Sequence, residues 1–161
     1  MGEVKSVIMA IDNELISNVR KYLINHLQTG SDSQHASVFA NFSDFGELDT
    51  GFPETISELV EKSGMSHSEF YFRAGISRQL FHRISSNQGY RPAKSTVFAC
   101  AIALELSLEE TEKLLEKAGY ALSRSFRSDV VIEYFIVNRI YDISKINEVL
   151  YEFDLQPLGS M

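Results

Sequence analysis

The stretch Met65–Glu110 decides the expected fold, and it reads MSHSEFYFRAGISRQLFHRISSNQGYRPAKSTVFACAIALELSLEE. A serine opens each of two short runs in it, Ser66–Ala74 and Ser77–Ser85. A serine oxygen at a helix start can accept the backbone N–H groups that lack a partner there. Gly75 ends the first run, since glycine readily takes the left-handed conformation that closes helices. The sequence therefore predicts two short helices joined by a tight glycine turn.

Positive charge is concentrated in the same region of an acidic chain. The 161 residues have a formal net charge of −7, whereas residues 64–100 hold five Arg or Lys residues against the single acid Glu69, a net charge of +4. An acidic protein can still offer one basic element to phosphate groups. Two short helices with a tight turn form a helix-turn-helix, which places its second helix in the major groove of DNA. The pattern favours a local DNA-reading face over a general nucleic-acid coat.

The segment from Ile56 to Glu110 resembles the DNA-binding domain of the phage-repressor class, the XRE-like or Cro/C1-type helix-turn-helix. The resemblance rests on the GIS turn (75–77), the RP break (91–92) and the ALELSLEE run (103–110), which stand in the family's order. The tail at 119–159 is similar to a bacterial subgroup of such modules, found alone or fused to macrodomains. The resemblance implies an all-α fold, a five-helix repressor-like bundle with added C-terminal helices, acting as a transcriptional regulator on double-stranded DNA.

DNA contacts can be assigned if that function holds. Arg78 and Gln79 would reach base edges, because Arg favours guanine and Gln favours adenine. His82 and Arg83, one turn later, would touch base or phosphate, while Phe81 and Ile84 would face inward. The remaining contacts would go to the phosphate backbone, from Ser77, Arg73, Arg91 and Lys94. The alternative for each Arg or Lys is a solvated surface charge.

Three residues depart from the family's pattern on the same surface. His67 stands where many members carry a phosphate-binding Gln, Phe72 takes an outer position that is usually polar, and Leu80 takes the place of a small polar residue. Apolar side chains read base edges poorly but anchor protein contacts well. The alternative function is therefore a non-enzymatic protein-interaction adaptor or antitoxin that uses Phe72 and Leu80. Exposure of both residues would favour a protein partner, and their burial beneath Tyr71 or Tyr90 would favour DNA.

The rest of the chain divides around this segment. Residues 1–29 are predicted to form a long amphipathic helix, with apolar residues at helical spacing through Val4–Leu27 and an end at Thr29-Gly30. Its apolar stripe either packs on the same chain or pairs with a second copy in a homodimer through residues 4–27, since an apolar face must be buried somewhere. Residues 52–161 should be the helix-turn-helix domain with its C-terminal helical extension.

Residues 30–51 should be a linker, rich in Ser, Asp and Gly. Within it Phe39, Phe42, Phe45 and Leu48 recur beside acids. Two interpretations stay open: a short helical turn over the edge of the core, or an acidic-aromatic segment that folds on a partner.

Later helices should begin at Leu106–Glu110, at Ser128-Asp129 and at Ser144. We expect core positions along the last two of these helices, at Tyr134, Phe135, Ile140, Tyr141, Ile143, Ile146, Leu150 and Phe153.

Catalysis is not expected. The His residues and Cys100 are scattered without metal-ligand spacing, and the chain has neither GxGxxG nor GxxxxGK[ST]. We therefore predict no catalytic residue, no metal site and no cofactor. Cys100 lies between two alanines and should be a buried thiol. A single cysteine, the lack of a secretory leader and the lack of a long apolar run predict a cytoplasmic protein without a membrane partner.

Overall fold

The computed structural model describes residues 13–25 and 50–159, and all regular structure in these two ranges is helical. Helix α1 covers residues 13–25. The others are α2 (Phe52–Ser63), α3 (His67–Arg73), α4 (Arg78–Ser86), α5 (Lys94–Ala103), α6 (Leu108–Lys117), α7 (Arg127–Val137) and α8 (Ile143–Glu152). The prediction of an all-α fold is confirmed for the described part of the chain.

Three helix starts follow directly from local sequence. The Ser66 hydroxyl accepts from the Glu69 N–H at 3.2 Å, and the Ser77 hydroxyl accepts from the Leu80 N–H at 3.1 Å. Ser107 begins α6 with a reciprocal pair of bonds, because the Glu110 side chain also accepts from the Ser107 N–H at 2.8 Å. These caps confirm the starts expected for α3, α4 and α6.

Two later helix starts differ from the prediction. Helix α7 begins at Arg127, one residue before the expected Ser128. Helix α8 is capped by Asp142 and not by Ser144, since the Asp142 carboxylate accepts from the N–H groups of Ser144 and Lys145 at 3.0 and 3.3 Å. A carboxylate that satisfies two free N–H groups at a helix start caps better than a hydroxyl that lies two residues too late, already inside the helix.

Six helix ends, those of α2, α3 and α5–α8, share one backbone device, a residue with positive φ. Helices α2, α3 and α6 end at glycines. Helices α5, α7 and α8 use side-chain-bearing residues instead, at φ of 54–55°: Glu105, Arg139 and Asp154. The residue after each of these three donates its N–H back into the last turn, as Ile140 does to the Phe135 carbonyl at 2.9 Å. This pattern satisfies carbonyls at the helix end that otherwise lack donors.

The core is centred on α5, which is buried from Thr96 through Ala103. Helix α7 is nearly as enclosed, with Val130, Val131, Ile132, Phe135 and Ile136 inside. Phe135, Ile146 and Leu150 are buried as predicted, and the other expected core residues of the last two helices lie partly buried against the same cluster. Cys100 is fully buried, and this burial raises the pKa of its thiol to about 12. The prediction of a buried thiol is confirmed.

Helix α1 packs on this same core. Val19 is fully buried, Leu23 is 7% exposed, and the Tyr22 hydroxyl donates to Glu133 of α7 at 3.0 Å. Packing on the same chain is therefore what the structure shows for residues 13–25. The beginning of the predicted helix at 4–12, its predicted end at Thr29-Gly30 and the linker aromatics at 39–48 lie outside the described residues. No helix within 13–25 or 50–159 is long and apolar enough to span a membrane.

Candidate functional site

The outer face of α4 collects the polar side chains that the sequence singled out. Arg78, Gln79, His82 and Arg83 are all exposed and line one shallow depression together with Ser86 and Asn87. Arg78 and His82 are four residues apart, as are Gln79 and Arg83, so the four side chains lie on a single side of the helix. The opposite side is buried through Phe81 and Ile84, as expected. Helix α4 therefore has one polar basic side and one apolar side.

The turn between α3 and α4 is closed by backbone hydrogen bonds. Gly75 has φ of 61° and donates its N–H to the Phe72 carbonyl at 3.1 Å, and Ile76 donates to the Tyr71 carbonyl at 3.0 Å. Ile76 itself is 1% exposed, so the turn is anchored in the core. The positive φ explains why glycine stands at this position.

Aromatic packing holds α4 against α3. The Phe81 ring centroid lies 5.3 Å from that of Phe70 and 5.1 Å from that of His67. Tyr71 contributes a third ring at 6.3 Å. Such tilted ring pairs add to the free energy of burial. His67 thus contacts Phe81, the inner anchor of α4.

Electrostatics distinguish α4 from its neighbours. The helix itself contains no acidic residue, and within the described residues no acidic side chain forms an ion pair with Arg78 or Arg83. Arg83 has one close aromatic neighbour, since its guanidinium carbon lies 5.4 Å from the centre of the Tyr90 ring. The charges of Arg78 and Arg83 therefore face solvent without an acidic partner in this part of the chain.

The other predicted phosphate contacts form ion pairs or hydrogen bonds within the chain. Arg73 lies 3.6 Å from both Glu69 and Glu105. Lys94 pairs with Asp129, whose side chain is 3% exposed. The structure does not bring these two side chains into the α4 depression.

Arg91 has a structural role at the end of α6. Its Nε donates to the Ala118 carbonyl at 2.9 Å and its Nη2 to the Gly119 carbonyl at 2.7 Å, while its guanidinium lies 4.2 Å from the Tyr120 ring centre. Tyr120 in turn donates its hydroxyl to the Pro92 carbonyl at 2.9 Å. A guanidinium at a helix C-terminus satisfies carbonyls that lack donors and favours the negative end of the helix dipole. Ser77 likewise uses its hydroxyl as the cap of α4.

Phe72 and Leu80 behave differently from each other. Phe72 is 76% exposed, whereas Leu80 is partly buried against the core. The sequence offered two outcomes, with both residues exposed or both covered, and the structure shows neither. An exposed Phe72 on α3 is compatible with a protein contact, while the partial burial of Leu80 leaves the α4 face polar.

Sequence reasoning missed a pair of buried acids on α7. Asp129 accepts from the Ser123 N–H at 2.9 Å as well as pairing with Lys94. Glu133, one turn later, accepts from Tyr22 and lies 3.7 Å from Arg124. The available signal was the spacing, since two acids four residues apart in an otherwise apolar run lie on the same side of a helix.

Comparisons with known proteins found no match: no family model fits the chain, and neither curated proteins nor solved structures are significantly similar to it. Within the described residues, no group of three or more His, Cys, Asp or Glu side chains could hold a metal ion. The geometry of the α4 face is therefore the basis for a functional proposal.

Proposed function

We propose that the chain is a sequence-specific DNA-binding protein of the repressor-like helix-turn-helix class and a transcriptional regulator. In this proposal α2–α6 form the five-helix DNA-binding domain, α3 and α4 are its helix-turn-helix, and α7 and α8 are a C-terminal extension. The observation that carries it is the single exposed face of α4. It presents two arginines, a glutamine and a histidine without an acid among them.

The chemistry of this face suits a DNA major groove, which is about 12 Å wide and admits one helix. Arg78 can form a bidentate contact with guanine and Gln79 with adenine. His82 and Arg83 lie one turn further along the same side, where they can reach base or phosphate. Because Phe81 and Ile84 fill the inner side, the outer side is free to enter the groove without loss of core packing.

The structure narrows the set of proposed contacts. Arg73, Arg91 and Lys94 are held by intramolecular partners, so we assign DNA contact to α4 first. A domain with so few contacts gains useful affinity by binding two half-sites as a dimer. Within residues 13–25, Val19 and Leu23 are buried in the chain's own core and are not available to a second copy.

The alternative is a non-enzymatic adaptor or antitoxin that binds a protein through α3. The observation that favours it is the 76% exposure of Phe72. Isolated exposed apolar residues are common on protein surfaces, whereas contiguous patches mark interfaces. Leu80 does not extend the patch, so DNA binding remains the better-supported proposal.

The test starts from a random duplex library, from which the protein selects a preferred site. Fluorescence anisotropy then measures affinity for that site and for a scrambled duplex, from about 50 to 200 mM salt. Arg78→Ala/Arg83→Ala should abolish the preference for the selected site. Arg20→Ala/Lys21→Ala, which removes the same charge from exposed positions of α1, should retain it.

Two results would overturn the proposal: failure of the selection to enrich any sequence, or equal loss of binding in both double variants. Phe72→Ala tests the alternative function, binding of a protein through α3. If the chain selects no DNA, proteins it retains should be lost with Phe72→Ala and kept with Arg78→Ala/Arg83→Ala.

A further inference from the structure

The C-terminal end of the described chain lies against the turn between α3 and α4. Gly159 has φ of 79°, and a β-carbon placed there would stand 2.6 Å from the Gly75 carbonyl oxygen and 3.1 Å from the Ala74 oxygen. Real side chains cannot approach backbone so closely, so the contact requires glycine. The backbone at 159 is thus seated directly on the residues that set the angle between α3 and α4.

Helix α8 fixes this terminal segment in place. The Asn147 side chain donates to the Leu158 carbonyl at 3.1 Å and accepts from the Leu158 N–H at 2.7 Å. Leu158 is 5% exposed, so its side chain is buried in the core. A side-chain amide that bonds both the N–H and the C=O of one residue fixes the position of that residue's backbone.

Ile143, on the same face of α8, also lies beside the turn. A β-carbon at Gly75 would lie 3.6 Å from Cδ1 of Ile143, which is ordinary van der Waals contact. Ile143 and Asn147 are four residues apart and share a helix face. The start of α8 and the chain that follows α8 therefore both lie against the turn at Gly75.

Helices α3 and α4 need such support because they are short. They have seven and nine residues, which corresponds to lengths of about 10 and 14 Å. Helix α4 buries Phe81 and Ile84, and it packs against α2 as well as α3. The turn at Gly75 joins its N-terminus to α3 and contributes to the angle between the two short helices.

We propose that Asn147, Leu158 and Gly159 form a C-terminal clamp that positions α4 for DNA reading. The predicted effect on DNA binding rests on the proposed function. The predicted effect on the position of α4 depends on the clamp contacts alone. Asn147 and Gly159 are positioning residues, because they act on α4 through the turn and do not touch DNA. Release of the segment from the turn would let α4 change direction while the core stays folded.

The test compares two glycines of the same conformation. Gly159→Ala places a methyl group against the Gly75 carbonyl, whereas Gly64→Ala, at φ of 73°, meets nothing within 4 Å. Both substitutions carry the strain of a left-handed alanine, so their difference isolates the clamp. Asn147→Ala removes the two hydrogen bonds to Leu158 without adding a group and serves as an independent variant.

Hydrogen exchange provides the first readout. The Gly75 and Ile76 N–H groups close the turn by bonding to the Phe72 and Tyr71 carbonyls. Their exchange should accelerate at least about tenfold in Gly159→Ala and Asn147→Ala, and stay unchanged in Gly64→Ala, while amides of α5 keep their protection. Unchanged exchange at the turn in both clamp variants would overturn the inference, as would an equal acceleration in Gly64→Ala.

DNA binding provides the second readout. A mispositioned α4 should lose about tenfold or more in affinity for the selected site and keep its weak, salt-dependent affinity for scrambled DNA. A clamp with only a stabilising role would instead lower both affinities by the same factor. If the unaltered protein selects no DNA, the proposed function fails, and hydrogen exchange at the turn is then the test of the clamp. If it selects DNA and the clamp variants keep full specificity, the clamp inference fails and the proposed function stands.

Discussion

Gly159 touches the Gly75 carbonyl group, and neither residue can carry a side chain without strain, because both have positive φ. The contact joins the end of the described chain to the turn between α3 and α4. Glycine at 75 follows from the turn, since the helix before it must close in a left-handed conformation. Glycine at 159 also has positive φ, and it is required in addition by a neighbour far away in sequence, the Gly75 carbonyl oxygen. The first glycine therefore has a local cause, whereas the second has a local and a tertiary one.

Replacing two left-handed residues by glycine should stabilise the protein. Arg139 and Asp154 both have φ of 55° at the ends of α7 and α8. Arg139→Gly and Asp154→Gly should each raise the free energy of unfolding by about 1 kcal/mol, because glycine takes this conformation without strain. The midpoint of urea unfolding measures the change. Glu152→Gly, inside the last turn of α8, is the control and should instead lower stability by about 1 kcal/mol. The prediction is wrong if Arg139→Gly and Glu152→Gly shift the midpoint in the same direction.

Glu110 should make the stability of α6 depend on pH. Hydrogen bonds from Ser107 hold the pKa of the Glu110 carboxyl below its ordinary value of 4.5. A lowered folded-state pKa means that this stabilisation is present above pH 4.5 and is lost as pH falls through the folded-state pKa. Glu110→Gln keeps a side chain that can reach the Ser107 N–H but does not titrate. The difference in unfolding free energy between the two proteins should therefore narrow on acidification from pH 6 to below 4.5, measured by chemical denaturation. A constant difference across that range would count against the role of the carboxylate charge.

The buried acid Asp129 should contribute more to the free energy of unfolding than an exposed helix cap does. It pairs with Lys94 and accepts from the Ser123 N–H, and its side chain is 3% exposed. Asp129→Ala leaves the Lys94 ammonium half-enclosed without its acid and should lower the free energy of unfolding by about 3 kcal/mol. Asp142→Ala removes the exposed cap of α8 and should lower it by about 1 kcal/mol. Thermal unfolding of the two variants, side by side, ranks the two acids, and equal losses would refute the buried pair as a major stabilising contact.

Tyr22 should hold α1 on the core through its hydroxyl. Burial and the Glu133 carboxylate raise its pKa to about 12 from an ordinary value of 10.0. Since the folded-state pKa is raised, this stabilisation is complete below pH 10 and is lost as pH rises toward 12. Tyr22→Phe removes the bond to Glu133 and should lower stability by about 1 kcal/mol at neutral pH.

Tyr151→Phe is the matched control for Tyr22→Phe, because Tyr151 is 80% exposed and its substitution should leave stability unchanged. Hydrogen exchange of the α1 amides locates the effect, which should be confined to that helix and the facing part of α7. If both variants behave alike, the bond between Tyr22 and Glu133 does not contribute to the docking of α1.

Helix starts and ends could be predicted from sequence wherever one residue bonds the free backbone groups of its neighbours or takes the left-handed conformation itself. Ser66, Ser77 and Ser107 cap helices through bonds that span three residues, and Gly75 closes one through its own φ. The start of α8 was missed because Asp142 and Ser144 are both plausible caps, and the choice depends on where the preceding chain leaves the core. The polar outer face of α4 was likewise predictable, since helical periodicity separates Arg78 and His82 from Phe81 and Ile84.

By itself, the sequence determined an all-helical chain with a short helix pair around Gly75 and a basic face on the second helix of that pair. These features depend on caps, turn chemistry and the 3.6-residue period, all of which act over a few neighbouring residues. Only the tertiary structure decided which cations stay available, because Arg73, Arg91 and Lys94 find partners on distant segments at Glu105, 118–119 and Asp129. It also decided that α1 packs on its own core and that Gly159 seats on the turn at Gly75. Contacts between residues far apart in sequence depend on how whole helices pack, which no local pattern specifies.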